Sequence, residues 1–394
     1  MRIVHTSDWH AGRVWKGISR LDELEAALAS LATFVEDEHI DLVLLSGDVF
    51  DSGAPAGEAE RVVFRTLKRI GQSGARTVVI AGNHDNPVRI EAWGTLAELV
   101  GVHALGRPAR AERGGVVRID SRSGEPAIVA ALPFASVRNL ISARELADSD
   151  TAVHQTYADA MGSLFSALSE SFRDDAVNLV VSHTLVDGAA FTRIEGSERP
   201  VHLGESWATS PQMLPTAASY IALGHIHRPQ ALPSVAAPAE YAGSPLQMDF
   251  GEAGEEKSFV LIEASPGLPA TRARVPYRGA RPLAKIRVTL PEIESRKQEL
   301  DQLGWLRVEV PVDRPDPDLA NKVKRQLERA VVVHPVLPVI EGAPEAQESR
   351  MGAPPAEIYR AYYRQTHQGI EPSDNLVTAF VGLWELAEHR DAEP

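Results

Sequence analysis

Residues 78–87 read VVIAGNHDNP. An apolar run reaches Gly82 and passes directly into Asn83, His84 and Asp85, three side chains able to hold a metal or a proton. The run predicts a buried strand, and the glycine permits a sharp turn at its end. The same kind of ending recurs along the chain. RIVHTS (2–7) leads to Asp8 and His10, DLVLLSG (41–47) to Asp48, NLVVS (178–182) to His183, and YIALG (220–224) to His225 and His227.

Helical patterns separate these runs. LDELEAALASLATFVEDE (21–38) repeats its apolar residues at three and four positions, and RVVFRTLKRI (61–70) also reads as a helix. AIVAALPF (127–134) and SFVLIEA (258–264) are further strand-like runs. Runs apolar on both sides predict strands covered on both faces, hence a layered α/β body over residues 1–268. In open α/β folds ligands bind beyond the carboxyl ends of the strands. All five polar sets lie there.

Asp8 and His10 are two residues apart, as are His225 and His227. In extended backbone such pairs point the same way, so one strand end offers two ligands to one place. Together Asp8, His10, Asp48, Asn83, His183, His225 and His227 offer nitrogen and oxygen without sulfur. That set suits Mn, Fe or Zn better than Ca or Mg. Seven candidates exceed one tetrahedral ion. Two ions about 3.5–4 Å apart, sharing a carboxylate, would use them all, clamp a phosphate and activate a water. Any one of these residues alone is ordinary. His5, His39, His103, His154, His202, His334, His367 and His389 carry no such pattern. The absence of a G-x-S-x-G elbow weighs against a Ser-His-Asp hydrolase.

The chain has 394 residues, 44% hydrophobic and 24% charged, as expected of a soluble protein of one to three domains. It has no cysteine, which excludes disulfides and thiolate metal sites and fits a reducing, cytoplasmic setting. The opening MRIVHTSDWH is not a signal peptide, and no run of about 18 apolar residues predicts a membrane span. The net charge of -14 weighs mildly against nucleic-acid binding. TRARVPYRGARPLAK (271–285) is basic throughout; it reads as a solvated connector, with a basic binding strip as the alternative.

Beyond residue 270 the pattern changes. AKIRVTL (284–290) and WLRVEVPV (305–312) read as strands, and ELDQL (299–303) and LANKVKRQLERA (319–330) as helices. They predict a small α+β domain over residues 269–341. EGAPEAQESRMGAPP (341–355) reads as a linker, placed at 342–354. Two helices follow in the segment 355–394. The first is PAEIYRAYYRQTH (355–367). The second is SDNLVTAFVGLWELAEH (373–389), whose apolar stripe holds Leu376, Phe380, Leu383, Trp384 and Ala387.

Taken together, D-x-H (Asp8, His10), GD (Asp48), GNHD (Asn83, His84), His183 and GHIH (His225, His227) resemble the calcineurin-like metallophosphoesterases. SDWHAGRVWKGISR, GNHDNPVRIE, ALGHIHRPQ and YAGSPLQMDFGEAGEEKSFVLIE extend the resemblance to the SbcD family, the nuclease subunits of SbcCD complexes. The resemblance implies a layered sandwich, two central sheets flanked by helices. A small α+β capping domain would help hold DNA, and a helical tail would dock on an SbcC-type coiled-coil ATPase. It implies two divalent ions, of which manganese is the family's preference. Asp8, His10, Asp48 and His227 would hold one, and Asp48, Asn83, His183 and His225 the other. His84 would touch the substrate phosphate and protonate the leaving oxygen. The implied activity is that of a DNA nuclease, an exonuclease on double strands and an endonuclease on single strands and hairpins. It would serve DNA end processing, repair, recombination and replication. A homodimer within a heterotetramer is implied, through helices near residues 55–70 and 89–100. The metal motifs alone also allow a phosphoesterase acting on a small phosphate ester or cyclic nucleotide. A structural adaptor that docks an ATPase is the remaining alternative.

Overall fold

The computed structural model describes residues 1–136, 140, 150–190, 208–338, 355–366, 370–377 and 379–381. Two six-stranded sheets form the body. The first runs, in spatial order, Thr271–Pro276, Ser258–Glu263, Arg2–Thr6, Leu42–Leu45, Arg76–Ile80 and Val102–Leu105; the last four are mutually parallel. The second runs Gln230–Ala231, Ala239–Tyr241, Tyr220–Gly224, Val177–His183, Pro126–Leu132 and Val116–Asp120, with the middle four parallel.

The sheets pack face to face. Ile3, Leu44 and Ile80 of the first meet Val129, Leu179 and Ala222 of the second in one buried layer. The opposite face of the first sheet, with Val4, Val43 and Val79, is covered by the helices Leu21–Asp37 and Gly57–Gln72 through Leu24, Leu28, Leu31, Val63 and Leu67. The outer face of the second is covered by the helix Asp150–Ser169 through Tyr157, Met161 and Phe165. Both faces of each sheet are therefore apolar, which is why the strands lack alternation. The expected sandwich of two central sheets between helices is the observed architecture.

His5 ties the two sheets at their interface. It is fully buried, with Nε2 2.9 Å from Ser46 Oγ and Nδ1 3.0 Å from Tyr220 Oη.

Two expectations need correction. The basic stretch after residue 270 is not all connector: Thr271–Pro276 is the edge strand of the first sheet, paired antiparallel with Ser258–Glu263. The body therefore extends past the expected boundary at residue 268. Arg272 and Arg274 project from this strand onto the buried Glu240, at 2.7 and 2.6 Å, so part of the strip is neutralised. An edge strand needs only one partner and tolerates charge, which hides it from a hydrophobicity pattern.

The small domain is the second correction. Leu283–Arg287, Trp305–Pro311 and Ala330–Val336 form a three-stranded sheet that is wholly parallel, so the arrangement is α/β rather than α+β. Parallel neighbours require crossovers. Here these are the helices Leu290–Ser295 and Lys297–Asp301, then Leu319–Gln326. Thr289 and Glu292 start the first of them with a reciprocal capping box.

This domain is seated on the body by a polar cluster. Glu23, 5% exposed, accepts hydrogen bonds from Trp305 Nε1 (2.8 Å), Arg281 N (2.9 Å) and Arg20 Nη2 (2.9 Å). Leu283 N donates to Gln247 Oε1 at 2.6 Å, and Leu283 packs with Trp15 and Phe250.

The chain divides after Val336 into a second unit. In it, Pro355–Thr366 is helical, as are residues 374–377 and 379–381. Tyr359 stacks on Phe380 with ring centroids 4.3 Å apart, and Arg360 pairs with Asp374 at 2.7 Å. The expected linker, together with Leu383, Trp384 and Ala387, lies outside the described residues. Among the described residues no helix is long and apolar enough to cross a membrane.

Candidate metal centre

The loops beyond the strands stay registered after the sheet ends. Asp8 N donates to Gly47 O and His10 N to Asp48 O, each at 3.0 Å. Asp85 fastens the third loop: its carboxylate accepts from the N–H groups of Gly82 (2.9 Å), Val49 (3.1 Å) and Phe50 (2.9 Å). The backbone is strained here. Among the described residues six non-glycine residues have positive φ, and four of them are Asp8 (52°), His10 (44°), Asp48 (48°) and His225 (104°). Such conformations cost about 1–3 kcal/mol each and persist where the surroundings impose them. Two glycines make the close approach feasible. A Cβ on Gly82 would lie 2.0 Å from Asp48 Oδ1, and one on Gly47 would lie 2.3 Å from His183 Nδ1.

The side chains converge. Three sets each place their donor atoms within 4.8 Å of one another: Asp8, His10 and His227; His10, Asp48 and His84; and Asp8, Asp48 and His183. Asp48 Oδ2 lies 3.5 Å from His10 Nε2 and 3.6 Å from His183 Nε2, between the two groups of imidazoles. Asn83 Oδ1 is 3.0 Å from both His183 Nε2 and His225 Nδ1. The backbone N–H of His225 reaches the Asp8 carboxylate at 3.1 Å. His84 donates its backbone N–H to Asp48 Oδ1 at 2.9 Å. All seven expected ligands and His84 thus meet at one place, drawn from the ends of both sheets.

Outer partners set which imidazole nitrogen faces inward. His183 Nδ1 donates to the Ser46 carbonyl at 2.8 Å, which leaves Nε2 as a lone pair. His10 turns Nδ1 to Asp51 Oδ1 at 3.3 Å, and His227 turns Nδ1 to Glu252 Oε1 at 3.5 Å. The Nε2 atoms of His10 and His227 then face each other at 3.1 Å. So close an approach of two ring nitrogens suits one shared proton or cation between them.

Electrostatics agrees. Burial holds His10 down at about 4 and His225 at about 3, so both are neutral ligands at neutral pH. Burial raises the Asp8 carboxyl, and Asp48 adds to this, against the pull of His183 and His227. Burial also acts to raise Asp48, but His183, His10 and His84 outweigh it and hold the carboxyl well below the usual range. Two buried carboxylates, an amide and neutral imidazoles form a set that favours divalent cations.

Sequence reasoning missed the outer residues. Asp51 reaches both His10 and Arg13, and its backbone oxygen accepts from His84 Nδ1 at 3.0 Å. Asp85 and Glu252 also lie outside the expected set. For Asp85 a signal existed, since it completes the GNHD run; Asp51 and Glu252 carry no local mark.

The profile of the calcineurin-like phosphoesterase family matches residues 1–229. The SbcD subunit of the SbcCD nuclease of Bacillus subtilis (strain 168) is 34% identical over 406 residues, covering 100% of both chains. The chain belongs to the SbcD family of calcineurin-like phosphoesterases. The SbcD nuclease subunit of Rhodobacter capsulatus is 30% identical, covering 83% of this chain and 84% of that one. That of Escherichia coli K12 is 27% identical, covering 82% and 81%. Membership of this family implies divalent metals, and this cluster holds Asp and His groups able to bind them.

Proposed function

We propose that the chain is a metal-dependent DNA nuclease, the catalytic partner of an SbcC-type coiled-coil ATPase. The observation that carries this is the convergence of eight expected residues at one strained centre, in a chain similar along its whole length to a nuclease subunit. In this reading Asp8, His10, Asp48 and His227 hold one ion, and Asp48, Asn83, His183 and His225 the other. The mixed nitrogen and oxygen set suits Mn, Fe or Zn, and the resemblance to the SbcD family favours manganese among them. Bound ions would supply Lewis acidity, neutralising charge on a phosphodiester and generating the nucleophile. The protein's own contribution is to fix the ligands and to present His84. That residue is half-buried and, with Nδ1–H committed to the Asp51 carbonyl, would donate to the phosphate or the leaving oxygen through Nε2 when that nitrogen carries the ring's second proton.

The capping domain, now bounded by Leu283 and Val336, would hold DNA. Over residues 283–336 it carries ten Lys and Arg against nine Asp and Glu, so the acidic excess of the chain lies elsewhere. Lys285 lies opposite Arg307 in register on one face of its sheet. The tail helices would dock on the ATPase. A homodimer would form through the helices Gly57–Gln72 and Pro87–Ala97. Leu96 and Leu99, 72% and 85% exposed, support that surface.

The decisive experiment compares a DNA hairpin with a chromogenic phosphodiester, with manganese, magnesium or chelator, and with or without the ATPase and ATP. Metal-dependent cleavage of the hairpin supports the nuclease reading. Turnover of the small ester alone would replace it with a small-molecule phosphoesterase.

A further inference from the structure

We propose that Glu252 is a positioning residue for His227, with Lys257 as its counter-charge. The inference rests on the assignment of His227 as a metal ligand. Glu252 is 2% exposed and Lys257 7% exposed. One carboxylate oxygen of Glu252 faces His227 Nδ1 at 3.5 Å. The other binds Lys257 Nζ at 2.6 Å and accepts the backbone N–H of Met248 at 2.9 Å. Lys257 Nζ in turn donates to the backbone oxygen of His227 at 2.9 Å. The pair therefore grips this histidine twice, by ring and by main chain.

Burying a carboxylate and an ammonium is unfavourable unless they pair closely and their remaining hydrogen-bonding groups are satisfied, as they are here. The pair orients Nε2 of His227 toward His10 and the centre. A carboxylate on the outer nitrogen of a ligating imidazole fixes its tautomer and raises its basicity. The segment that carries Glu252 is itself anchored. Gln247 is held at the capping domain's seat, and Phe250 packs against Trp15 and Leu283.

A purely structural pair would close the turn from Met248 to Lys257 and do nothing for the metal. Glu255 provides the contrast. It also binds Lys257, at 3.1 Å, but from a position nearer solvent than that of Glu252. Manganese is titrated calorimetrically into metal-free full-length protein, with thermal unfolding in chelator measured alongside. The variants are Glu252→Gln, Glu255→Gln and the double variant Glu252→Gln/Lys257→Gln. Glu252→Gln is expected to weaken one of the two sites by about 10–100-fold and leave the other unchanged. Glu255→Gln is expected to match wild type at both sites. The double variant removes both charges of the buried pair, leaving only the more exposed Glu255 without its lysine, and should unfold near the wild-type temperature while keeping the weak site. If Glu252→Gln does not fold, the double variant alone is decisive.

Wild-type affinity at both sites in Glu252→Gln, or restored affinity in the double variant, overturns the proposal. A wild-type protein that binds no pair of ions removes the centre itself and this inference with it.

Discussion

The Nδ1 atom of His84 lies 3.0 Å from the backbone oxygen of Asp51. A carbonyl only accepts, so Nδ1 carries the proton and Nε2 is the ring nitrogen left uncommitted by this bond. His84 is thus held ready to meet a substrate oxygen without being needed in either proposed ligand set. Replacing it with serine is expected to lower turnover of a DNA hairpin by about 10²–10⁴-fold, the range for a lost general acid or base. Manganese stoichiometry should stay at wild-type level. Normal cleavage by His84→Ser would remove the residue from the reaction.

Asp48 stands between the two groups of imidazoles, so its removal should affect both ions at once. Ions that bind the folded protein alone raise its stability, by about 2.7 kcal/mol per site at one hundred times Kd. Wild-type protein is expected to gain thermal stability on adding manganese and lose it on adding chelator. Asp48→Asn should show almost no gain. A full gain in that variant would show that the carboxylate is not shared.

The interface between the sheets makes a prediction about acid. Burial lowers the His5 pKa to about 3, from a value near 6.5 in the unfolded chain. Above pH 6.5 both states are neutral and the group is silent. Below it the unfolded chain takes up a proton that the native state refuses. Stability should therefore fall by about 1.4 kcal/mol per pH unit between about 6.5 and 3 from this group alone. Urea unfolding in chelator across that range measures the slope. In His5→Gln the slope should flatten by one proton's worth, and an unchanged slope would mean His5 is not the group responsible.

How much of this was legible follows from where the information sits. Asp8, Asp48, Asn83 and His225 were readable because each lies just past an apolar strand, and the last three directly follow glycine, a local signature. Thr271–Pro276 was not, because an edge strand bearing Arg272 and Arg274 looks like a loop until Glu240 is known to lie beneath it. Asp51 and Glu252 were not, because their roles come from imidazoles distant in the chain. The third strand of the small domain, Ala330–Val336, is only partly buried and includes Pro335, which obscures its pattern.

The exposed apolar residues on the helices Gly57–Gln72 and Pro87–Ala97 and on the 3-10 turn Glu98–Val100 make a prediction about assembly. Phe64 and Trp93 lie with ring centroids 5.5 Å apart, and Leu96 and Leu99 project outward beyond them. A charge at the most exposed of these should break a self-association built on them while sparing the fold. Leu99→Glu is expected to sediment as a monomer with wild-type thermal stability. Sedimentation unchanged from wild type would move the interface elsewhere.

The seat of the small domain on the body yields the last prediction. The buried pair Glu23 and Arg20 is joined from the small domain's side by Arg281 N and the half-buried Trp305. Converting the carboxylate to an amide leaves the buried Arg20 guanidinium uncompensated, a change worth about 3–5 kcal/mol when one partner of a buried pair is lost. Trp305→Phe is milder, since it removes one donor from Glu23 Oε1 while Arg281 Nη1 remains at 3.6 Å, and about 1–3 kcal/mol is expected. The loss falls on the contact between domains, because the core of the small domain is built from Ile293, Leu306, Val308 and Val323, away from Glu23. Both variants should therefore speed proteolysis between Pro276 and Pro282, Glu23→Gln more strongly, and slow DNA cleavage more than turnover of a small phosphodiester. Equal loss on the two substrates would place the effect at the metal centre instead, and unchanged proteolysis would mean that the cluster does not seat the domain.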